Sequence, residues 1–302
     1  MEESSVETSV IGSYPVKIDN LSLMKKFYNQ KEISWKRYID QAVGDMVDSG
    51  VEVISDGQTR DSFITIFTRN IGGFRIRDRD EIIDEISYKE PITVDDIIYI
   101  NKIIPNDRKA LGLITGAYTI AKSSLDSYYE DEKTLVFDLA DVLHKEAKSL
   151  EEHVDLISID EPFFSNNFPE YGVELVKKIV KDIDIPCRLH VCGDVSEIIP
   201  NLLSIPVDIL SHEFKASPHL FDVFKEYCDG MSQGICMGCV RSDDSHLEQI
   251  DEIVSHIQTG IDIFGDNICQ ISPDCGLKNL SKETAFQKLV NLVEAGEICY
   301  GR

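Results

Sequence analysis

Eight short apolar runs recur along the chain, and helical patterns separate nearly all of them. Strands are expected over 9–15, 51–55, 110–114, 156–159, 187–192, 207–210, 232–237 and 267–271. Trp35, Tyr38, Ile39, Ala42, Val43, Met46 and Val47 follow helical spacing, with Ser34 placed to cap the helix and Gly50 to stop it. Val136, Leu139, Val142, Leu143 and Leu150 mark a second helix, and others are expected near 170–181, 195–203, 218–228, 245–261 and 281–296. Such alternation implies parallel strands with helices outside them. Eight units in 302 residues fit an α/β fold, a single-domain (β/α)₈ TIM barrel over 1–302. The alternative is an open, doubly wound sheet. Against it, no Gly-x-Gly-x-x-Gly follows the first strand. Residues 1–8 read as a frayed end. Residues 59–109 read as an excursion between the second and third strands, with a hairpin near 74–86.

Charge narrows the function. The chain has 30 Lys and Arg against 54 Asp and Glu, a formal charge of −24. Nucleic-acid backbones and anionic membranes are recognised by clustered cations, so neither partner is expected. No apolar run approaches the ~18 residues of a membrane span, and Met1-Glu-Glu-Ser-Ser carries no apolar export signal. The expected location is cytoplasmic, where the eight cysteines stay reduced and free to bind metal or pack.

One stretch carries metal-site chemistry. His190 and Cys192 stand two apart on an expected strand, which turns both side chains to one face. Imidazole with thiolate is a ligand mixture that zinc favours. A barrel gathers its strand ends at one mouth, which brings Glu213 and Cys275 into range. One nitrogen, two sulfurs and one carboxylate oxygen suit tetrahedral Zn²⁺, and two thiolates disfavour magnesium and calcium. His212 competes with Glu213, because neighbouring strand residues point opposite ways. Cys236-Met-Gly-Cys239 has a C-x-x-C spacing but no second pair, so it reads as packing, as do Cys187, Cys228, Cys269 and Cys299.

Six motifs occur in order: Ile11-Gly12-Ser13-Tyr14-Pro15, Ser55-Asp56-Gly57-Gln58-x-Arg60, Ile159-Asp160-Glu161-Pro162, His190-x-Cys192-Gly193, His212-Glu213 and Pro273-Asp274-Cys275-Gly276-Leu277. Together they resemble the catalytic C-terminal half of cobalamin-independent methionine synthases, and most closely the short, single-domain core forms of archaea and bacteria. The resemblance implies a TIM barrel with Zn²⁺ on His190, Cys192, Glu213 and Cys275. It also implies homocysteine bound near Ile11, Gly12, Ser13, Gln58 and Asp160, with Asp160 serving both binding and catalysis. The residues agree with this: Asp160 can accept an ammonium group, and backbone N–H groups with the Ser13 hydroxyl can donate to a carboxylate. Read without the family, Asp160 is a turn residue and Arg60 a surface ion pair.

Three departures shape the expected activity. Gln58 stands where the larger family has Glu, which removes a negative charge. Cys239-Val240-Arg241-Ser242 stands where the two-domain enzymes have a proton-donating Ile-His-Ser segment. The N-terminal half, which helps to bind folate in those enzymes, has no counterpart. The expected reaction is therefore zinc-dependent transfer of a methyl group to the homocysteine thiol, giving methionine, with a methylated corrinoid, protein-bound, as donor. The alternatives are a related thiol-alkyltransferase acting on coenzyme M or another thiol, a non-catalytic corrinoid- or metal-binding module, and a zinc hydrolase.

Overall fold

The computed structural model describes residues 6–19, 35–228 and 230–301; the expected cap at Ser34 lies outside them. In chain order the strands are β1 Glu7–Thr8, β2 Val53–Ile54, β3 Gly72–Ile76, β4 Asp80–Ser87, β5 Lys109–Thr115, β6 Leu125–Asp126, β7 Leu156–Asp160, β8 Cys187–His190, β9 Ile209–His212, β10 Gly234–Val240 and β11 Ile268–Pro273. Eight of them form one sheet in the order β1-β11-β10-β9-β8-β7-β5-β2. Every pairing in it is parallel. A parallel bridge between Ser9 and Val53 joins its two ends, supported by the Glu52 N–H donating to the Thr8 carbonyl at 3.2 Å. The sheet is thus closed into a barrel, and the open doubly wound alternative falls away.

The first strand begins earlier than expected. Glu7 and Thr8 pair with Gln270 and Ile271, so the frayed end does not extend to residue 8. Beyond Ser9 the chain leaves the sheet, because Gly12 takes a left-handed φ of 51° that strand pairing does not accommodate. The sixth barrel strand is β9 at Ile209–His212, two residues beyond the expected 207–210. Among the described residues no helix is long and apolar enough to cross a membrane.

Helices cover the barrel with the apolar stripes read from the sequence. In the helix Glu132–Leu150, Val136, Leu139, Val142, Leu143 and Leu150 are all buried, and the Asp131 carboxylate caps its start by accepting the Thr134 N–H at 2.9 Å. In the last helix, Lys282–Tyr300, Ser281 accepts the Thr284 N–H, and Gly301 ends the run at a φ of 70°.

Between β2 and β5 the chain builds a small second sheet, in which β3 and β4 pair antiparallel and β6 adds to β4 in parallel. One half-buried contact ties the excursion together internally, and one buried carboxylate pins it to a barrel helix. Arg60 forms an ion pair with Asp96 at 2.7 Å and donates to the Ile92 carbonyl at 2.7 Å. Glu146, fully buried on the helix Glu132–Leu150, accepts the Ile92 N–H, the Thr93 N–H and the Thr93 hydroxyl at 2.8–2.9 Å. The helix Val94–Ile100 starts there without a side-chain cap of its own, so Glu146 fills that role from a distance. Alanine at 146 strands these donors in the interior and should destabilise the fold by about 2–4 kcal/mol, read as a lower denaturation midpoint in urea.

Candidate functional site

The site is assembled at the C-terminal ends of the barrel strands. Inward positions alternate along each strand, and register sets them side by side: Asp160 of β7 pairs with His190 of β8, and His190 with Ser211 of β9. Strand β8 ends at His190, but the turn at Gly193, with φ 82°, keeps Cys192 beside it. His190 Nε2 lies 3.0 Å from Cys192 Sγ, and Cys192 Sγ lies 2.9 Å from Cys275 Sγ. The ligand atoms of these three residues all fall within 4.8 Å of one another.

The donor chemistry fits a metal ion. His190 Nδ1 sits 3.0 Å from the Ser211 hydroxyl; with that N–H given to Ser211, Nε2 keeps its lone pair for a metal. Burial, aided by the nearby Arg188 charge, holds the His190 imidazole well below its ordinary pKa and therefore neutral. The bond to Cys275, with burial, pushes the Cys192 thiol well above its usual range. Glu213 and Asp160 push the thiol the same way, so a cation is what would release that proton.

Glu213 stands at the edge of the cluster rather than within it. Its Oε2 accepts the Gly193 N–H at 2.8 Å, and the Cys192 thiol lies against it. Burial raises its carboxyl pKa. Its loop is tied to Cys275 through Asp274, whose carboxylate accepts the Lys215 and Ala216 N–H groups at 3.0 and 2.8 Å. His212 turns the other way. It is fully buried, its Nδ1 faces the Val191 carbonyl at 3.2 Å, and its ring packs against Phe214 and Phe224. Of the two sixth-strand candidates, Glu213 faces the cluster and His212 faces the apolar core. The C-x-x-C pair forms no cluster, since Cys236 meets Arg188 and Ser272 inside the barrel while Cys239 bonds to the Met237 carbonyl. None of the eight cysteines is in a disulfide.

A cavity of about 500 Å³ opens onto the cluster, and Ile11, Gly12, Ser13, Gln58 and Asp160 line it together with His190, Cys192 and Cys275. The Gly57–Gln58 turn reaches it because both residues take left-handed φ values, 66° and 47°. A side chain at 57 would also place its Cβ 2.8 Å from that of Ala42. Asp56 accepts the Gln58 N–H at 3.0 Å, and Gly57 accepts the Tyr14 N–H at 2.9 Å, which joins this turn to the first loop. Gln58 is 3 % exposed, and its Nε2 has no partner among the described residues. Asp160 accepts the Ser158 hydroxyl at 3.0 Å. Burial raises its pKa to about 6, against the opposing pull of Arg188 and Ser158. Sequence reasoning missed Phe63, Pro162, Lys278 and Asn279 in the lining, as well as Ser211 and Asp274. Pro162 and Asp274 stood in the motifs without a role, Ser211 had inward parity with Glu213, and the others carried no local signal.

A model of the family described as the catalytic domain of cobalamin-independent synthase matches residues 6–298. The chain is 36% identical to a methionine synthase of Methanocaldococcus jannaschii, over 96% of this chain and 98% of the relative. The chain belongs to the cobalamin-independent methionine synthase family. As a member of that family it is a methyltransferase. The chain is 31% identical to a methionine synthase of Saccharolobus solfataricus, over 96% and 94% of the two chains. The fold matches a B12-independent methionine synthase from Shewanella sp. W3-18-1, solved in complex with selenomethionine, with a TM-score of 0.81 at 20% identity over 97% of each chain. It also matches a methyltransferase from Methanosarcina mazei, with a TM-score of 0.68 at 16% identity over 97% and 94% of the two chains.

Proposed function

We propose that this methyltransferase moves a methyl group from a protein-bound methylcorrinoid to the thiol of homocysteine, giving methionine, with zinc at the His190, Cys192 and Cys275 cluster. The observation that carries this reading is one cavity shared by that cluster and by Asp160 with Ile11-Gly12-Ser13. Zinc held there, with Glu213 as an exchangeable fourth ligand, supplies the positive charge that lowers a thiol from its usual pKa of about 8.5.

The chain's own residues do the rest. Asp160 takes the substrate ammonium. The Ser13 hydroxyl and the N–H groups of the first loop take its carboxylate. Together they fix the sulfur end at the cluster, so that an incoming methyl group meets it in line. Selenomethionine, bound in the Shewanella relative, is the selenium analogue of the proposed product.

The loop after β10 supports the choice of donor. No imidazole occupies 239–242. Arg241 there is turned into an ion pair with Asp243, and its N–H is held by Glu248. The two histidines that follow it in sequence are engaged elsewhere: His256 faces the Gly238 carbonyl at 3.0 Å and His246 faces Glu252. A folate amine leaving group needs a proton. A methylcorrinoid does not, because cobalt keeps the electron pair as the methyl departs.

The test is methionine formation from homocysteine by zinc-loaded protein, with methylcobalamin in one reaction and methyltetrahydrofolate in another. Product is expected with the corrinoid and not with the folate. Product from folate alone overturns the donor assignment. A second reading, with another thiol such as coenzyme M as acceptor, is favoured by the neutral Gln58 amide and its unpartnered Nε2. Turnover of that thiol but not of homocysteine would establish it.

A further inference from the structure

Arg188 is the largest fully buried side chain among the described residues. It stands on β8 two residues before His190, on the same inward face. Its guanidinium donates to Ser158 Oγ at 3.2 Å, Ser9 Oγ at 2.9 Å, Gln270 Oε1 at 3.0 Å and the Val10 carbonyl at 3.0 Å, and it touches Cys236 Sγ at 3.6 Å. These acceptors are neutral, and no carboxylate lies within ion-pair distance of it among the described residues. Asp160 feels its charge only at longer range; taking an arginine out of water without a carboxylate in contact is costly, and packed apolar side chains would fill the same space more favourably. The guanidinium therefore needs a reason beyond packing.

Two of its bonds lead to the substrate cavity. Through Ser158 it reaches Asp160, since the Ser158 hydroxyl in turn donates to Asp160 Oδ1 at 3.0 Å. Through the Val10 carbonyl it grips the residue immediately before Ile11-Gly12-Ser13. One rigid, planar fork thus joins the group that meets the ammonium to the segment that meets the carboxylate. We propose that Arg188 is a positioning residue that holds these two halves of the amino-acid subsite in register, and so selects thiols that carry an α-amino acid end. The proposal rests on the reading of the cavity given above. It predicts a discrimination that neither packing nor the metal cluster produces. Lysine at 188 keeps the charge but loses the fork, so it removes the register and spares the electrostatics.

The test uses zinc-loaded full-length protein and calorimetric binding of two thiols: L-homocysteine, and 2-mercaptoethanol, which lacks both ammonium and carboxylate. Arg188→Lys should weaken homocysteine binding about 10- to 100-fold, the scale of a lost charge-assisted bond, and leave 2-mercaptoethanol within about 2-fold. Ser158→Ala breaks only the link to Asp160 and should give a loss of about 3- to 10-fold with the same selectivity. It carries the test alone if Arg188→Lys does not fold. Equal weakening of both thiols, or unchanged homocysteine affinity in both variants, overturns the proposal. Wild-type protein that binds 2-mercaptoethanol as tightly as homocysteine overturns the substrate reading itself, and the proposal with it.

Discussion

Serine in place of Cys275 should cost the protein its metal and its methyl transfer in the same preparation. Cys275 Sγ is one of three ligand atoms in the cluster and lies 2.9 Å from Cys192 Sγ. A serine hydroxyl has nearly the same shape but does not give up its proton near neutral pH, so it offers a weak neutral ligand where zinc prefers thiolate. Loss of a supporting hydrogen bond alone lowers metal affinity about 10- to 100-fold, so loss of a ligand should cost at least ~100-fold. Zinc content after dialysis should fall from one per chain toward none, and methionine formation should fall to background. Cys192→Ser should behave alike. Ser211→Ala, which frees His190 Nδ1, should weaken zinc by about 10- to 100-fold without removing it. Cys299→Ser, on the last helix and away from the cluster, serves as the control that keeps both zinc and turnover. A Cys275→Ser protein with stoichiometric zinc and full activity would sink the ligand assignment.

That prediction was open to sequence reasoning because its parts are local. His190 and Cys192 announce themselves by a two-residue spacing, and Cys275 stands at a strand end marked by Pro273 and Gly276. The barrel was legible for a similar reason, since most of its strands and covering helices carry their own apolar period. What stayed hidden depends on partners distant in the chain. The choice between His212 and Glu213 turned on the register of β9, which only its pairing with β8 and β10 fixes. Strand β6 is two exposed residues, Leu125 and Asp126, without any pattern; it exists because β4 offers a free edge. Glu146 looks like a solvated helix residue until the loop at Ile92 and Thr93 closes over it. Arg188 interrupts an apolar run, and its acceptors lie 30 to 179 residues away in sequence. Buried polar groups are satisfied by tertiary structure, so their meaning is not written beside them.

Asparagine at 160 should raise the KM for homocysteine by about 10- to 100-fold while zinc stays bound. Asp160 is buried on the last residue of β7 and receives the Ser158 hydroxyl at 3.0 Å. Asparagine preserves its size and an acceptor oxygen for Ser158, but it faces the substrate ammonium without a charge. A hydrogen bond between charged partners contributes about 1.5–3 kcal/mol, which sets the size of the effect. The split between the kinetic constants is the sharper part of the prediction. On the proposed reading Asp160 meets the end of the substrate that does not react, so its bond would be equally strong before and during methyl transfer, and its loss should appear in KM with kcat nearly unchanged. The outcome separates three roles for one carboxylate. If KM alone rises, Asp160 holds the amino group. If kcat falls at constant KM, it acts on the chemistry at the sulfur. If neither moves, it belongs to the interior with Ser158 and Arg188, and the amino-acid end of the substrate is recognised elsewhere in the cavity. Measuring 2-mercaptoethanol beside homocysteine divides the first case from a general loosening of the site, because a thiol without an ammonium group has nothing to lose at Asp160.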